Sequence, residues 1–269
     1  MLKILLGCGD VDSNKPGIFG QTPPYFAILE GHEGAAELLH GRDKVSPDKP
    51  DDNRQTPLSC AASEGQGRVV KTLPGCDDVS PEKPDRLSKA LLHCAAENGH
   101  DGVMEILLGR DNIDPEKPSK FGETPLCWAA RNGHEGIVKI ILGRDDVNPD
   151  KPDRSGRTPL CCAAENGHEG VVKTLLGRED VNPNKPDEDG QTPLWLAAKS
   201  GCEGVAKILL GRDDVNPEKP SESGEAPLCC AARHGHEGVV KILLGRNDVN
   251  PFKRQRRNGE TVAAKRRWR

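Results

Sequence analysis

Ten cysteines and eight histidines are the residues of this 269-residue chain with the most obvious chemistry. Cysteines could form a disulfide framework, bind a soft metal or pack as small apolar side chains. Their positions separate these readings. Cys60, Cys94, Cys162 and Cys230 keep step at multiples of 34 residues, and Cys127, Cys161 and Cys229 keep the same step one position earlier. His32, His100, His134, His168 and His236 share it too, each followed by an acidic residue. Side chains related by such a period sit one structural repeat apart, about 8–10 Å if the repeats are packed helices. A disulfide needs Cα atoms about 4.4–6.8 Å apart, and zinc needs its ligands at about 2 Å. Equivalent positions meet neither condition, and neighbours such as Cys161 and Cys162 diverge by about 100° on a helix. Core thiols in a reducing compartment are expected, with no metal and no cofactor. Cys8, Cys76 and Cys202 stand outside the shared positions, and Cys8 and Cys76 fall at loops, where exposure is expected.

Catalytic signatures are missing. The chain has no Gly-x-x-x-x-Gly-Lys-Ser/Thr phosphate loop, no Gly-x-Ser-x-Gly elbow, no dinucleotide fingerprint and no His-Glu-x-x-His. Any acid–base pair that could be drawn recurs in several repeats, which marks scaffold rather than one active centre. A non-enzymatic chain is expected.

The elements that must position these residues follow from the same period. Only 34% of residues are apolar and 3% aromatic, while Gly numbers 30 and Pro 22. That composition does not suit one thick core. Two markers recur in phase: Val-Asn or a variant from Val11-Asp12 to Val249-Asn250, and Thr-Pro at Thr22, Thr56, Thr124, Thr158 and Thr192. The second degrades to Ala90-Leu91 and Ala226-Pro227. In the repeat beginning at Thr158, Thr is a good N-cap and Pro159 suits the first helical position. Leu160, Cys162, Ala163 and Ala164 give a small apolar face, and Asn166-Gly167 stops the helix. A second helix from about Glu169 carries Val171, Val172, Leu175 and Leu176 at helical spacing. The Pro- and Asp-rich stretch after Gly177 reads as a loop or hairpin-like finger. Helices of about eight residues do not hold alone, so stacked copies must share the core.

Thr-Pro-Leu-x-x-Ala-Ala-x-x-Gly-His, then Val-Val-Lys-x-Leu-Leu, then Asp-Val-Asn, resembles the ankyrin repeat over nearly the whole chain. The resemblance implies an all-α ankyrin-repeat solenoid of stacked helix-turn-helix units joined by finger loops. The departure is a period of 34 residues against about 33, with a Pro-rich finger. Residues 1–21 read as the second helix and finger of a partial repeat. Residues 22–258 read as seven repeats starting at 22, 56, 90, 124, 158, 192 and 226, and 259–269 as a truncated repeat with a basic tail. Neither end offers a polar cap, so a piece of a longer array, or a truncated gene, is expected. Between Ser63 and Leu91 the markers fail together: Gln66 replaces His, Pro74 falls in a last helical turn and Thr-Pro is lost. This stretch is expected to open first.

The resemblance also implies a scaffold that binds other proteins along a concave face of finger tips and first helices. The sequence varies between repeats at those places. The expected contact residues are Ile18, Phe19, Leu87, Phe121, Arg154 and Glu188 at finger tips, and Arg131, Asn132, Glu165, Asn166, Lys199, Arg233 and His234 after the Ala-Ala pairs. Trp195, in the slot nearer the groove, joins them, with core as its alternative, while Trp128, which replaces the small residue of a probable core slot, is expected in the core. Apolar tip residues could instead fold back onto neighbouring fingers.

Net charge is −4, but residues 253–269 carry +7, so the array before them is acidic. A nuclear or nucleic-acid module driven by this tail is the first alternative; its bland counterpart is a degenerate tail. The second alternative is the sensing arm of a larger signalling protein. No stretch approaches the about 18 apolar residues of a membrane span, and the apolar run in the opening Met-Leu-Lys-Ile-Leu-Leu-Gly is too short for a secretory leader. A cytoplasmic monomer, with nuclear residence as the alternative, is expected.

Overall fold

The computed structural model describes residues 15–40, 49–72, 84–86, 89–110 and 112–249. Among these the chain is all-α, with no strand and one short 3-10 turn at Ile18–Gly20. It divides into two compact units, Met1–Arg154 and Ser155–Arg269. The first contains helix pairs α1 (Pro23–Leu29) and α2 (Glu33–His40), α3 (Pro57–Ser63) and α4 (Gly67–Thr72), α5 (Leu91–Asn98) and α6 (Asp101–Leu108), and α7 (Pro125–Asn132) and α8 (Glu135–Leu142). The second contains α9 (Pro159–Asn166) and α10 (Glu169–Leu176), α11 (Pro193–Ser200) and α12 (Glu203–Leu210), and α13 (Pro227–Arg233) and α14 (Glu237–Leu244). Within each unit first helices pack on first helices and second helices on second helices, which is the stacking of an ankyrin solenoid.

Local chemistry starts each pair. The Thr hydroxyls of Thr56, Thr124, Thr158 and Thr192 accept from the backbone N–H three residues on, and Pro sits first in the helix behind each. Ala90 has no acceptor to offer. There His93 takes over: its Nδ1 accepts from the Ala90 N–H at 3.1 Å, and its Nε2 lies 3.1 Å from the Glu123 carbonyl oxygen. The two bonds fix the neutral imidazole with its proton on Nε2. Burial holds the His93 pKa below the ordinary value.

The core is a strip of Leu, Ile, Val, Ala and Cys. Ala95, Ala96, Ala129 and Ala130 are fully buried, and their small side chains allow the first helices to close up on Leu92, Met104, Leu126 and Ile137. Leu160, Leu175, Leu194 and Leu209 do the same in the second unit. Cys60, Cys94, Cys127, Cys161, Cys162 and Cys230 are buried and free. Cys127 and Cys161 also donate weakly to the carbonyls of Lys151 and Lys185 at 3.8 and 3.7 Å. Cys202 is half-buried and Cys229 exposed; Cys8 and Cys76 lie outside the described residues.

The recurring histidines tie repeats together. His100 Nε2 lies 2.7 Å from the Ser63 carbonyl oxygen, His134 Nε2 3.0 Å from that of Glu97, and His236 Nε2 2.9 Å from that of Lys199. Each ring lies against the αL glycine ending the preceding first helix. A Cβ on Gly99 would come within 2.7 Å of the His134 ring. Gln66 breaks the sequence pattern but not the tie, since its Nε2 donates to the Ile28 carbonyl. Cys202 manages only a long contact from Sγ to the Glu165 carbonyl, 3.8 Å.

A further set of ties was not legible as such in the sequence. Arg144, Arg178, Arg212 and Arg246 each grip the Asp two residues on with paired bonds of 2.7–2.9 Å. Arg144 and Arg212 also reach the carbonyls of Leu108 and Leu176 at 3.0 and 2.9 Å, one repeat back. In the fingers, Lys151 and Lys219 reach the carbonyls of Glu116 and Asn184 at 3.1 Å. The Lys of the recurring Lys-Pro pair thus stitches finger to finger.

Candidate functional site

The finger tips are tight turns closed on themselves. Ser119 N–H donates to the Glu123 carbonyl at 2.9 Å and Ser221 N–H to that of Glu225 at 3.0 Å. One backbone bond joins each of four pairs of neighbouring tips: Asp52 to Phe19, Arg154 to Phe121, Glu188 to Ser155 and Glu222 to Asp189, at 2.8–3.0 Å. That close approach needs glycine at the turn. A Cβ on Gly156 would sit 2.7 Å from the Glu188 nitrogen, and its φ is +75°. Within each unit the joined tips are therefore ordered relative to one another.

Ile18, Phe19 and Phe121 are exposed at 78%, 67% and 54%. They do not fold back onto the neighbouring fingers. Arg154 and Glu188 are exposed at tips as well, and Leu87 lies outside the described residues.

Behind the tips, a charge pair in four repeats joins the base of the finger to the end of the same repeat's first helix. Lys89 meets Glu97 at 2.8 Å, Glu123 meets Arg131 at 2.5 Å, Arg157 meets Glu165 at 2.8 Å and Glu225 meets Arg233 at 2.6 Å. The polarity reverses from pair to pair. Arg131, Glu165 and Arg233, read from the sequence only as contact residues, thus have partners inside their own repeat. The signal lay in the sequence as opposite charges eight positions apart. Lys199 instead lies over the Trp195 ring, its Nζ 5.9 Å from the centroid. The neighbouring residues fold back on their own helix. Asn132 Nδ2 donates to the Trp128 carbonyl at 2.9 Å, Asn166 Nδ2 to that of Cys162 at 2.8 Å, and His234 Nδ1 lies 2.9 Å from that of Cys230.

Trp128, expected in the core, reaches the face, and Trp195, open to either place, is buried. Trp195 is only 4% exposed, packs with Cys161, Leu196 and Cys230, and donates from Nε1 to the Glu225 carbonyl at 2.9 Å. Its slot points to the next finger base, as Tyr25 Oη shows by reaching Gln55 Oε1 at 3.1 Å. Trp128 is half-buried and floors a recess of about 160 Å³ with Phe121, Lys89, Arg131, Glu123 and Ser119. A ring in the slot of Cys94 and Cys162 is too large for the strip and spreads onto the face. Lys89 Nζ sits 4.1 Å from its centroid and Arg131 Cζ 5.6 Å, both within cation–π range. Trp128 Nε1 is buried without a hydrogen-bond partner.

No group of three His, Cys, Asp or Glu that could hold a metal ion is found among the described residues, and no helix there is long and apolar enough to cross a membrane. Burial pushes the thiols of Cys60 and Cys161 up to about 12 and that of Cys94 to about 11, the reverse of what a nucleophile needs.

The model for ankyrin repeats (three copies) matches residues 1–85, 92–187 and 179–255. Among solved structures, the ankyrin repeat domain of Bcl-3, described as a unique member of the IkappaB protein family, is similar with a TM-score of 0.68 and 27% identity. The match covers 84% of this chain and 99% of that domain. No curated protein sequence matches the chain. Helix pairs, finger rows and the matched model agree, and the chain belongs to the ankyrin-repeat family.

Proposed function

We propose that the face of finger tips and first helices binds a segment of another protein, and that the chain acts as a non-catalytic scaffold. Ankyrin repeats are protein-interaction modules, and the observation that points to this face is Phe121, 54% exposed beside the Trp128 recess, on tips whose other exposed apolar residues are Ile18 and Phe19. Exposed aromatic side chains on an ordered frame make good anchors because little conformational freedom is lost on binding. Glu188 and Arg154 would set the charge of what docks, while Asn132, Asn166 and His234 line the rim. A quantitative pull-down with Phe19→Ala, Phe121→Ala and Glu188→Arg tests the reading. Loss of one or more partners is expected, and a partner set unchanged across all three variants would sink it. Trp195→Ala has no place in this series, because a buried ring with a hydrogen bond reports on folding.

A second reading rests on the +7 charge of residues 253–269. Their contacts with phosphates would carry nucleic-acid binding or nuclear residence. Deleting them and titrating binding against salt decides it: a phosphate-backbone binder loses affinity steeply with salt, and a flat response dismisses the idea.

A further inference from the structure

We infer that the Trp128 recess in the N-terminal unit seats one aromatic or leucine side chain of an acidic peptide segment. The inference rests on the binding face proposed above and names the chemistry of its occupant.

Size excludes a metabolite-like ligand first. Pockets for small molecules run to about 300–1,000 Å³. This recess holds about 160 Å³, room for one side chain. Its floor and one wall are the rings of Trp128 and Phe121, so the side chain it suits is apolar.

Charge gives the flanks. The two cations lining the recess already hold carboxylates: Lys89 meets Glu97 at 2.8 Å, and Arg131 meets Glu123 at 2.5 Å. Asp153 lies 4.0 Å from the same Arg131. The cations of the surrounding tips are differently placed. Lys120 precedes Phe121 in its tip, and Arg154 is held to Phe121 by the bond from its N–H to the Phe121 carbonyl, 3.0 Å. Both are exposed. Every carboxylate at the recess therefore has an internal cation, while two tip cations face solvent beside the exposed ring. A peptide carrying Asp or Glu next to its anchor would complement them, and a basic peptide would be repelled.

Trp128 also departs from its own slot. Cys60, Cys94, Cys162, Leu196 and Cys230 occupy it in most other repeats and Phe26 in the first, and a Trp there leaves Nε1 buried without a partner. Most repeats fill this slot with Cys or Leu, so the stack does not require a ring there.

The test uses the full chain and a displayed library of random short peptides, followed by synthetic copies of the enriched sequences in fluorescence polarisation. The expected peptides share Phe, Trp or Leu with Asp or Glu alongside. Trp128→Cys restores the residue of neighbouring repeats, so it folds, and it should weaken the synthetic peptides at least about tenfold, as loss of a buried anchor does. Lys120→Glu with Arg154→Glu should weaken them further at low salt and less at high salt. Enrichment of basic or anchor-free peptides overturns the inference. So does acidic-peptide binding that survives Trp128→Cys. If such binding is instead lost on Lys199→Glu or Arg233→Glu, the general face stands and this site falls. No enrichment at all counts against both.

Discussion

Arg131 NH1 lies 2.5 Å from Glu123 Oε1, and the Glu123 side chain is nearly buried while that of Arg131 is one-third exposed. The pair ties the base of a finger to the end of the helix behind it. Lys89–Glu97 in the same unit does so with the charges reversed.

Breaking the pair from the exposed side leaves a buried carboxylate without its counter-ion. Arg131→Glu should cost about 1–3 kcal/mol, because desolvation of Glu123 is then uncompensated. The swap Glu123→Arg with Arg131→Glu should recover part of that loss. Recovery stays incomplete, since Asp153 lies 4.0 Å from the Arg131 position. Urea denaturation of the three chains measures it, and equal stability of single and double variants would refute the coupling.

Stability should fall in mild acid through His93. Its folded pKa is lowered by burial first, so the unfolded chain takes up the proton before the folded one. Above the ordinary histidine value of about 6.5 both states are neutral and the full stability is present; it is lost as pH falls below that value. Protonation would also remove the Nδ1 lone pair that accepts from Ala90. His93→Cys, the residue of this slot at Cys127 and Cys161, should flatten the decline between neutral pH and mild acid. An unchanged slope in that variant would assign the acid sensitivity elsewhere.

Thiol labelling should separate the cysteines by place. Of those described, exposed Cys229 should react first with iodoacetamide, while Cys60, Cys94 and Cys161 should react only after unfolding. Peptide mapping by mass spectrometry reads the order. Labelling of Cys161 at the rate of Cys229 in the folded chain would contradict a packed thiol.

Arg54 holds φ +64°, where the equivalent tips have Gly122, Gly156 and Gly190. An L side chain in the left-handed region costs about 1–2 kcal/mol, offset in part by the greater freedom of glycine in the unfolded chain. Arg54→Gly should therefore stabilise by about 0.5–1 kcal/mol, seen as a raised urea midpoint.

Local opening should begin at α4. Its described part is Gly67–Thr72, and the sequence places Pro74, which cannot donate to a helical ladder, two residues on. Hydrogen exchange should find Val69 and Val70 less protected than Val103 and Val138. The reverse order would dismiss the idea.

Much of the frame was legible in the residues. Thr158-Pro159 announces a helix start, Asn166-Gly167 its stop, and Val171, Val172, Leu175 and Leu176 its buried face, because these signals act over one or two turns. The thiols were legible as packing residues for the same reason: a 34-residue step cannot bring equivalent sulfurs within bonding distance. Gln66 misled, since it looks like a lost marker yet its amide reaches the same kind of carbonyl as the histidines do.

The sequence by itself determined the period, the helix pairs, the fingers and the family resemblance, all set by short-range capping, turn chemistry and apolar spacing. It also held the opposite charges that pair across four of the finger bases. Tertiary structure alone decided which ring faces which way. Trp195 and Trp128 are adjacent slots of the same helix type, yet one finds a carbonyl in the next finger base and disappears, while the other meets a strip too narrow for it and floors a recess. The difference depends on contacts about 30 residues away, where no local signal reaches.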